Sequence, residues 1–494
     1  MIKGKLLLSI LALFCFVQAR ADVEINETNF PDENFRNYLK SQTYGEDGVI
    51  TSDEIAAIDQ IDVHGKGITS LKGIELFTKL TMLLCYDSNL TTLDVSKNTN
   101  LKELSCYSNK LTSLNVSKNT ALTKLSCFSN KLTSLDVSKN TKLKTLACNS
   151  NQLTSLGLSK NVALEWLHCG SNQLTSLDLS KNIALNYFSC AFNQLTSLDV
   201  SKNTALTTLH CFSNQLTSLD VTKNTKLETL YCYSNKLSTL DVSKNTALTT
   251  LHCGSNQLTS LDVSKNTNLK ELTCYDNQLT SLDVSKNTKL KWLNCYSTQL
   301  TSLDISKNTA LESLECSSTQ LASLDVTKNT KLTKLSCGSN QLTTLDVSKN
   351  TNLKELDCYS NQLTSLDLTK NTKLEYLYCY SNQIKGAAMD ALVESLPTVE
   401  KGVMCVIYYK DEGNVMTTTQ VAAAKAKGWI PKYYVGKNWL EYAGSEPSGI
   451  DSILLENGGR AKIFSIDGRP LNEPHKGINI IRMENGKTKK VVVK

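Results

Sequence analysis

Leucine, cysteine and valine return to the same places along most of this chain every 21 residues. Fifteen cysteines, Cys85 to Cys379, keep that spacing without one insertion or deletion. One period reads Leu122-x-x-Leu125-x-Cys127-x-x-Asn130-x-Leu132-x-x-Leu135-Asp136-Val137-Ser138-Lys139-Asn140-Thr141. Within it, Lys124-Leu125-Ser126-Cys127-Phe128 alternates outward and inward, the period of two that marks a strand with one buried face. Leu132-x-x-Leu135-x-Val137-x-x-Asn140 repeats the pattern ten residues later, which leaves room for a short strand or a tight helical turn but not a long helix. The inward set is Leu122, Leu125, Cys127, Leu132, Leu135 and Val137. A fixed period in the twenties predicts a solenoid, in which each turn buries its apolar side only against its neighbours.

Polar positions inside the period predict how the turns are tied. The chain must reverse after each strand, and its backbone groups would be stranded inside. Asn130 and its equivalents Asn109, Asn151, Asn172, Asn193 and Asn214 are expected to bond those turns through their amides. Thr298 and Thr319 replace asparagine in two adjacent turns and Ser88 does so in the first, so the stack should be weakest there. Asp136 and its equivalents, from Asp94 to Asp367 with Asn115 and Gly157 as exceptions, suit the capping of a tight turn. They also offset the lysine row that contains Lys139. The cysteines take an inward, leucine-like position, so buried free thiols are expected and not disulfides.

Leu-x-x-Leu-x-Cys-x-x-Asn-x-Leu resembles the leucine-rich repeat family, with cysteine at the third apolar position of its consensus. The resemblance implies a leucine-rich-repeat solenoid of the α/β-horseshoe class, β-rich. It would have about 15 turns and one long parallel sheet on the concave face, with a small helical N-cap, an αβ C-cap and a C-terminal small β domain. It also implies binding of other macromolecules. The 21-residue form is similar to repeats of secreted and surface proteins of Bacteroidetes.

The expected organisation is a signal peptide at 1–21, an N-terminal cap at 22–74, repeats at 75–382, a C-terminal αβ cap at 383–445 and a β domain at 446–494. Lys3 and Lys5 precede an apolar run from Leu6 to Val17 and an Ala19-Arg20-Ala21 cleavage site, the pattern of a secretory signal too short to span a bilayer. Secretion or an outer-surface location follows, without membrane insertion of the mature chain. In the tail, the order of a strand from Ala461, an Asp467-Gly468-Arg469 turn, a strand from Gly477 and a final Lys490–Lys494 strand resembles the sorting domain of the type IX secretion route.

Charge and motifs exclude more than they offer. A formal net charge of +6 over 494 residues gives no global pull toward nucleic acid or anionic lipid. The metalloprotease, serine-hydrolase and dinucleotide motifs are missing, and Gly486-Lys487-Thr488 has Ile481 where a phosphate loop needs its first glycine. His168, His210 and His252 share one register but lie two turns apart, about 9.6 Å by strand spacing, too far to share one zinc. Neither enzyme activity nor a cofactor is expected. Glu46-Asp47-Gly48-Val49-Ile50 with Glu54 looks like the tail of a calcium loop, but Thr43 and Gly45 stand where acidic ligands belong. Asp47 and Glu54 are therefore only a weak calcium candidate.

Variation between repeats concentrates at outward strand positions. These carry Trp166, His168, Tyr187, His210, Phe212, Tyr231, Tyr233, His252, Tyr275, Trp292, Tyr296, Tyr376 and Tyr378. Aromatic side chains facing water on a rigid sheet suit protein binding hot spots, so an adhesion module for a host or bacterial protein is the first expectation. A glycan-binding surface is the alternative, with Asn294 beside Trp292 and Glu165 beside Trp166 as polar partners. Plain ring stacking on a structural spacer is the third reading.

Overall fold

The computed structural model describes residues 22–408, 413–435, 438–445, 462–472, 476–483 and 486–493. The signal-like segment 1–21 and most of the linker expected at Gly444–Gly449 lie outside them. The chain divides into two compact units, Met1–Asn224 and Thr225–Lys494.

In the first unit, β1 (Val23–Glu24) pairs antiparallel with β2 (Val49–Ile50), and helices α1 (Glu33–Lys40) and α2 (Ser52–Ala57) flank β2. Asp32 caps α1, accepting from the Phe35 amide through one oxygen and from Thr69 and Ser70 through the other. Thr51 and Glu54 close the capping box that opens α2. A parallel sheet follows in chain order: β3 (Gln60–Asp62), β4 (Met82–Leu84), β5 (Glu103–Ser105), β6 (Lys124–Ser126), β7 (Thr145–Ala147), β8 (Trp166–His168), β9 (Tyr187–Ser189) and β10 (Thr208–His210). The sheet thus begins inside the expected N-terminal cap, at β3.

The second unit continues the pattern with β11 (Thr229–Tyr231), β12 (Thr250–His252), β13 (Glu271–Thr273), β14 (Trp292–Asn294), β15 (Ser313–Glu315), β16 (Lys334–Ser336), β17 (Glu355–Asp357) and β18 (Tyr376–Tyr378). After β18 the sequence register breaks but the sheet does not. β19 (Gly402–Ile407) and β20 (Trp429–Val435) add in parallel, interleaved with α3 (Ala387–Ser395) and α4 (Thr418–Ala426), and β21 (Asn438–Glu441) turns back antiparallel. Trp429 lies buried under this cap, donating to the Pro397 carbonyl at 2.7 Å. The tail forms its own antiparallel sheet in the order β23 (Pro470–Leu471), β22 (Lys462–Ser465), β24 (Gly477–Arg482), β25 (Thr488–Val493). The architecture is a β-solenoid of about fifteen turns.

Each repeat strand has only three residues, because the backbone turns left-handed two residues after every cysteine. Ser129 has φ of 52°, and its equivalents behave alike. Serine there carries a steric penalty that glycine would not. The following asparagine holds the turn. Asn130 Nδ2 donates to the carbonyls of Cys106 and Cys127 at 3.0 and 3.1 Å, and Oδ1 accepts from the Leu111 amide at 3.0 Å. One amide therefore ties its own turn to the one before. A second ladder runs along the back, where Asn140 Nδ2 donates to Val116 and Asn119 carbonyls at 2.9 Å each. The back carries tight turns, such as Asn140 N to Val137 O at 2.9 Å, and Asp136 Oδ1 caps them from the Ser138 amide at 2.8 Å.

Leu122, Leu125, Cys127, Leu132 and Val137 are fully buried, and so are their counterparts through the repeats. The sixteen described cysteines are buried free thiols. Burial pushes Cys127 up to about 12, so the sulfur stays protonated and behaves as a small apolar side chain.

Candidate binding face

The left-handed turn after each cysteine fixes what the sheet shows to solvent. In a strand such as Lys124–Ser126 the central leucine points into the core, and the residues on either side of it face out. The residue after the cysteine adds a third outward column. Parallel in-register pairing aligns equivalents directly, for example Trp166 with Tyr187 and His168 with Ser189.

In the first unit, Trp166 stacks on Tyr187 with centroids 4.8 Å apart, and His168 meets the Trp166 edge at 5.9 Å. Tyr187 meets His210 edge-on at 5.6 Å, and His210 lies 6.4 Å from Phe212. Phe192, which was not among the expected residues, packs on Phe212 at 5.2 Å and is 56% exposed. It occupies the left-handed position where most turns carry serine; the signal was there as a departure from the repeat, at a position that is not part of the strand.

In the second unit, Tyr231 stacks on His252 at 4.4 Å and lies 6.5 Å from Tyr233. His252 Nε2 is 3.6 Å from Glu271. Burial lowers both His168 and His252, in His252 against the pull of Glu271. At neutral pH these imidazoles are uncharged rings. Tyr275 lies over Gly254, where a methyl would come within 2.5 Å of the ring, and Tyr359 lies over Gly338 in the same way. Trp292, Tyr296 and Tyr376 remain 42%, 41% and 44% exposed, and Tyr378 is half-buried.

Two further aromatic columns line the face, and outward register in the sequence already marks Tyr359 and Tyr380 of the second. His64, Tyr86, Tyr107 and Phe128 stack at 4.6, 4.3 and 4.2 Å in the first unit. Tyr359, Tyr380, Tyr408 and Tyr434 stack at 4.8, 5.1 and 4.7 Å in the second. These rings cover one another's faces, which fits plain stacking better than a free platform.

The polar partners that a sugar would need are engaged elsewhere. Asn294 donates to Glu315 at 2.8 Å and accepts from the Tyr296 amide at 3.0 Å. Glu165 pairs with Lys144 at 2.9 Å. The calcium candidates are also committed: Glu54 accepts from the Thr51 amide and hydroxyl at 2.8 Å, and Asp47 accepts from the Val49 amide at 3.0 Å. Among the described residues no three histidine, cysteine, aspartate or glutamate side chains converge as a metal site.

The solved functional domain of InlJ from Listeria monocytogenes, which includes a cysteine ladder, is 31% identical to this chain with a TM-score of 0.70. The match covers 97% of this chain and all of that domain. The chain belongs to the leucine-rich repeat family. The family model for leucine-rich repeats in two copies matches residues 204–245, 246–287, 330–370 and 351–392 of this leucine-rich repeat protein. Internalin J of Listeria monocytogenes serotype 4b (strain F2365) is 41% identical over 72 residues, which is 14% of this chain but only 8% of internalin J. A leucine-rich repeat protein of Leptospira interrogans shares the fold at 25% identity and a TM-score of 0.65, over 72% of this chain and 97% of that one.

Proposed function

We propose that this leucine-rich repeat protein is an exported, surface-attached bacterial adhesion module that binds a host or bacterial protein through the outward face of its sheet. The observation that carries the reading is the set of large rings held partly in water on a rigid backbone, above all Trp292, Tyr296 and Tyr376. A fold that needed only to be soluble would place short polar residues there, as Thr208, Thr229 and Thr250 do in their own turns. Rigid aromatic area is also the commonest material of hot spots. The layout of 22–74, 75–382, 383–445 and 446–494 as cap, repeats, cap and tail belongs to the same reading. The separate antiparallel sheet of the tail supports a sorting-type domain of the Bacteroidetes kind. Among the described residues no helix is long and apolar enough to cross a membrane.

The test sets immobilised extracellular-matrix proteins and bacterial surface proteins beside a glycan array, probed with the wild-type chain, Trp166→Ala/Tyr187→Ala, Tyr231→Ala/Tyr233→Ala and Trp292→Ala/Tyr376→Ala. Binding to a protein that falls by about 2 kcal/mol in any of the three aromatic pairs supports the proposal. Lys223→Ala/Lys244→Ala should bind as wild type. Loss in the lysine pair alone would move recognition to the back of the turns, and binding only to glycans would replace the protein partner.

A further inference from the structure

On the sheet face of the second unit, charged residues gather between Trp292 and Tyr376. In-register pairing places Trp292, Ser313, Lys334, Glu355 and Tyr376 in one row, and Asn294, Glu315, Ser336, Asp357 and Tyr378 in the next. Lys334 lies between Glu315 at 3.5 Å and Glu355 at 3.4 Å. Two carboxylates therefore flank one ammonium, with Asn294 also donating to Glu315, and Asp357 on the same face adds a third carboxylate, a local negative excess in a chain whose formal charge is +6. Asp357 sharpens the imbalance. One of its oxygens accepts from the Ser336 hydroxyl at 2.8 Å, while the other is buried with no hydrogen-bond partner in the protein. At each end of this floor stands an exposed ring, Trp292 with Tyr296 at one and Tyr376 at the other.

We propose that this five-strand surface receives a basic segment of the protein partner, with a lysine or arginine side chain reaching the Glu315–Glu355–Asp357 floor and the rest of the segment lying against Trp292 and Tyr376. Four strand spacings separate the two rings, about 19 Å, the length of roughly six extended residues. Cationic side chains gain from both elements: charge-assisted bonds to carboxylates and the faces of exposed aromatic rings. An acidic or sulfated ligand would meet the same surface with repulsion. The inference rests on the protein-binding reading above and names the chemistry of the partner.

The experiment measures fluorescence anisotropy of a labelled Arg-Ser-Gly tandem peptide, with its Glu-Ser-Gly counterpart as control, against the full secreted chain at about 50 mM salt, where surface charges act over long range. The arginine peptide should bind and the glutamate peptide should not. Glu355→Gln/Asp357→Asn should weaken binding tenfold or more, and Trp292→Ala/Tyr376→Ala at least fivefold. The charge-matched control Glu228→Gln/Glu400→Gln, at two exposed positions outside these five turns, should stay within twofold. Circular dichroism melts confirm that each variant is folded, and single variants replace any pair that is not. No binding of the arginine peptide, or equal weakening in the control, overturns the inference. If a protein found in the adhesion screen loses binding in the Trp166/Tyr187 or Tyr231/Tyr233 variants but not in Glu355→Gln/Asp357→Asn, the protein-binding reading stands and this inference fails. Preferential binding of an anionic glycan at Trp292 and Tyr376 refutes it as well.

Discussion

Thr298→Asn should stabilise the second unit, because it restores a tie that its neighbours have. In the preceding turn, Asn277 Nδ2 donates to Cys253 and Cys274 carbonyls at 3.1 and 3.0 Å, and Oδ1 accepts from the Leu258 amide at 2.9 Å. Thr298 keeps one of those bonds, Oγ1 to the Cys295 carbonyl at 2.8 Å, within its own turn. The hydroxyl is too short to reach the Cys274 carbonyl and the Leu279 amide in the turn before, so both links across the turns are lost. An asparagine would regain two hydrogen bonds in a site that is 5% exposed. At about 0.5–1.5 kcal/mol net for each bond, the gain is about 1–3 kcal/mol. Repeat arrays unfold turn by turn, so native-state hydrogen exchange is the sharper assay. Exchange at the Leu279 amide should slow by about tenfold to a hundredfold, by the conversion of 1.4 kcal/mol per decade. The reciprocal Asn277→Thr should speed exchange at Leu258 by a similar factor. Unchanged exchange at Leu279 would refute the amide as the link between turns and leave apolar stacking as the whole of the coupling.

Other outcomes follow from the same structure. Burial raises Asp357 to about 6, so the folded chain holds that proton more tightly than the unfolded one. Stability should therefore fall as pH rises from about 4 to about 6 and then level off, and Asp357→Asn should remove the slope and gain about 1–3 kcal/mol at pH 7 in denaturant titrations. The buried thiols should resist a water-soluble disulfide reagent in the native chain and titrate as sixteen in the described region after denaturation without reductant; only a few reactive thiols after denaturation would refute the free ladder. Cys127→Ser places a hydroxyl in a fully buried apolar site and should cost about 1–3 kcal/mol by thermal or chemical melting. Gly254→Ala should displace the Tyr275 ring without unfolding the repeat, seen as a change in tyrosine ring signals by NMR, because the added methyl would meet that ring at 2.5 Å.

Near-identical repeats make much of this fold legible, since each inward position is stated more than a dozen times. Leu125, Cys127 and Asn130 are read from one turn and recur in register, and Asp136 caps the turn its composition suggests. The capping box at Thr51–Glu54 is equally local. The break after Asn382 is where the repeat pattern fails as a guide. Asn414 there takes over the ladder role, donating to Cys379 and Val406 carbonyls at 2.8 and 3.0 Å and accepting from the Ile384 amide at 2.9 Å. Nothing near it in sequence marks it, because its partners lie up to 35 residues away.

The candidate face divides along the same line. Sequence register by itself determined which side chains point outward and which strands they share, since a strand's two-residue period and a constant repeat length leave no freedom in either. It could not say which aromatic rings are spent on one another. That depends on ring torsions and on the space left by neighbours, as when Tyr275 and Tyr359 fall over Gly254 and Gly338 while Trp292 and Tyr376 stay in water. Nor could it show that Asn294 and Glu165 are already bonded, or that Glu315 and Glu355 flank a single lysine. Periodicity fixes direction one residue at a time; contact between side chains is a property of three-dimensional packing, and only the tertiary structure decides it.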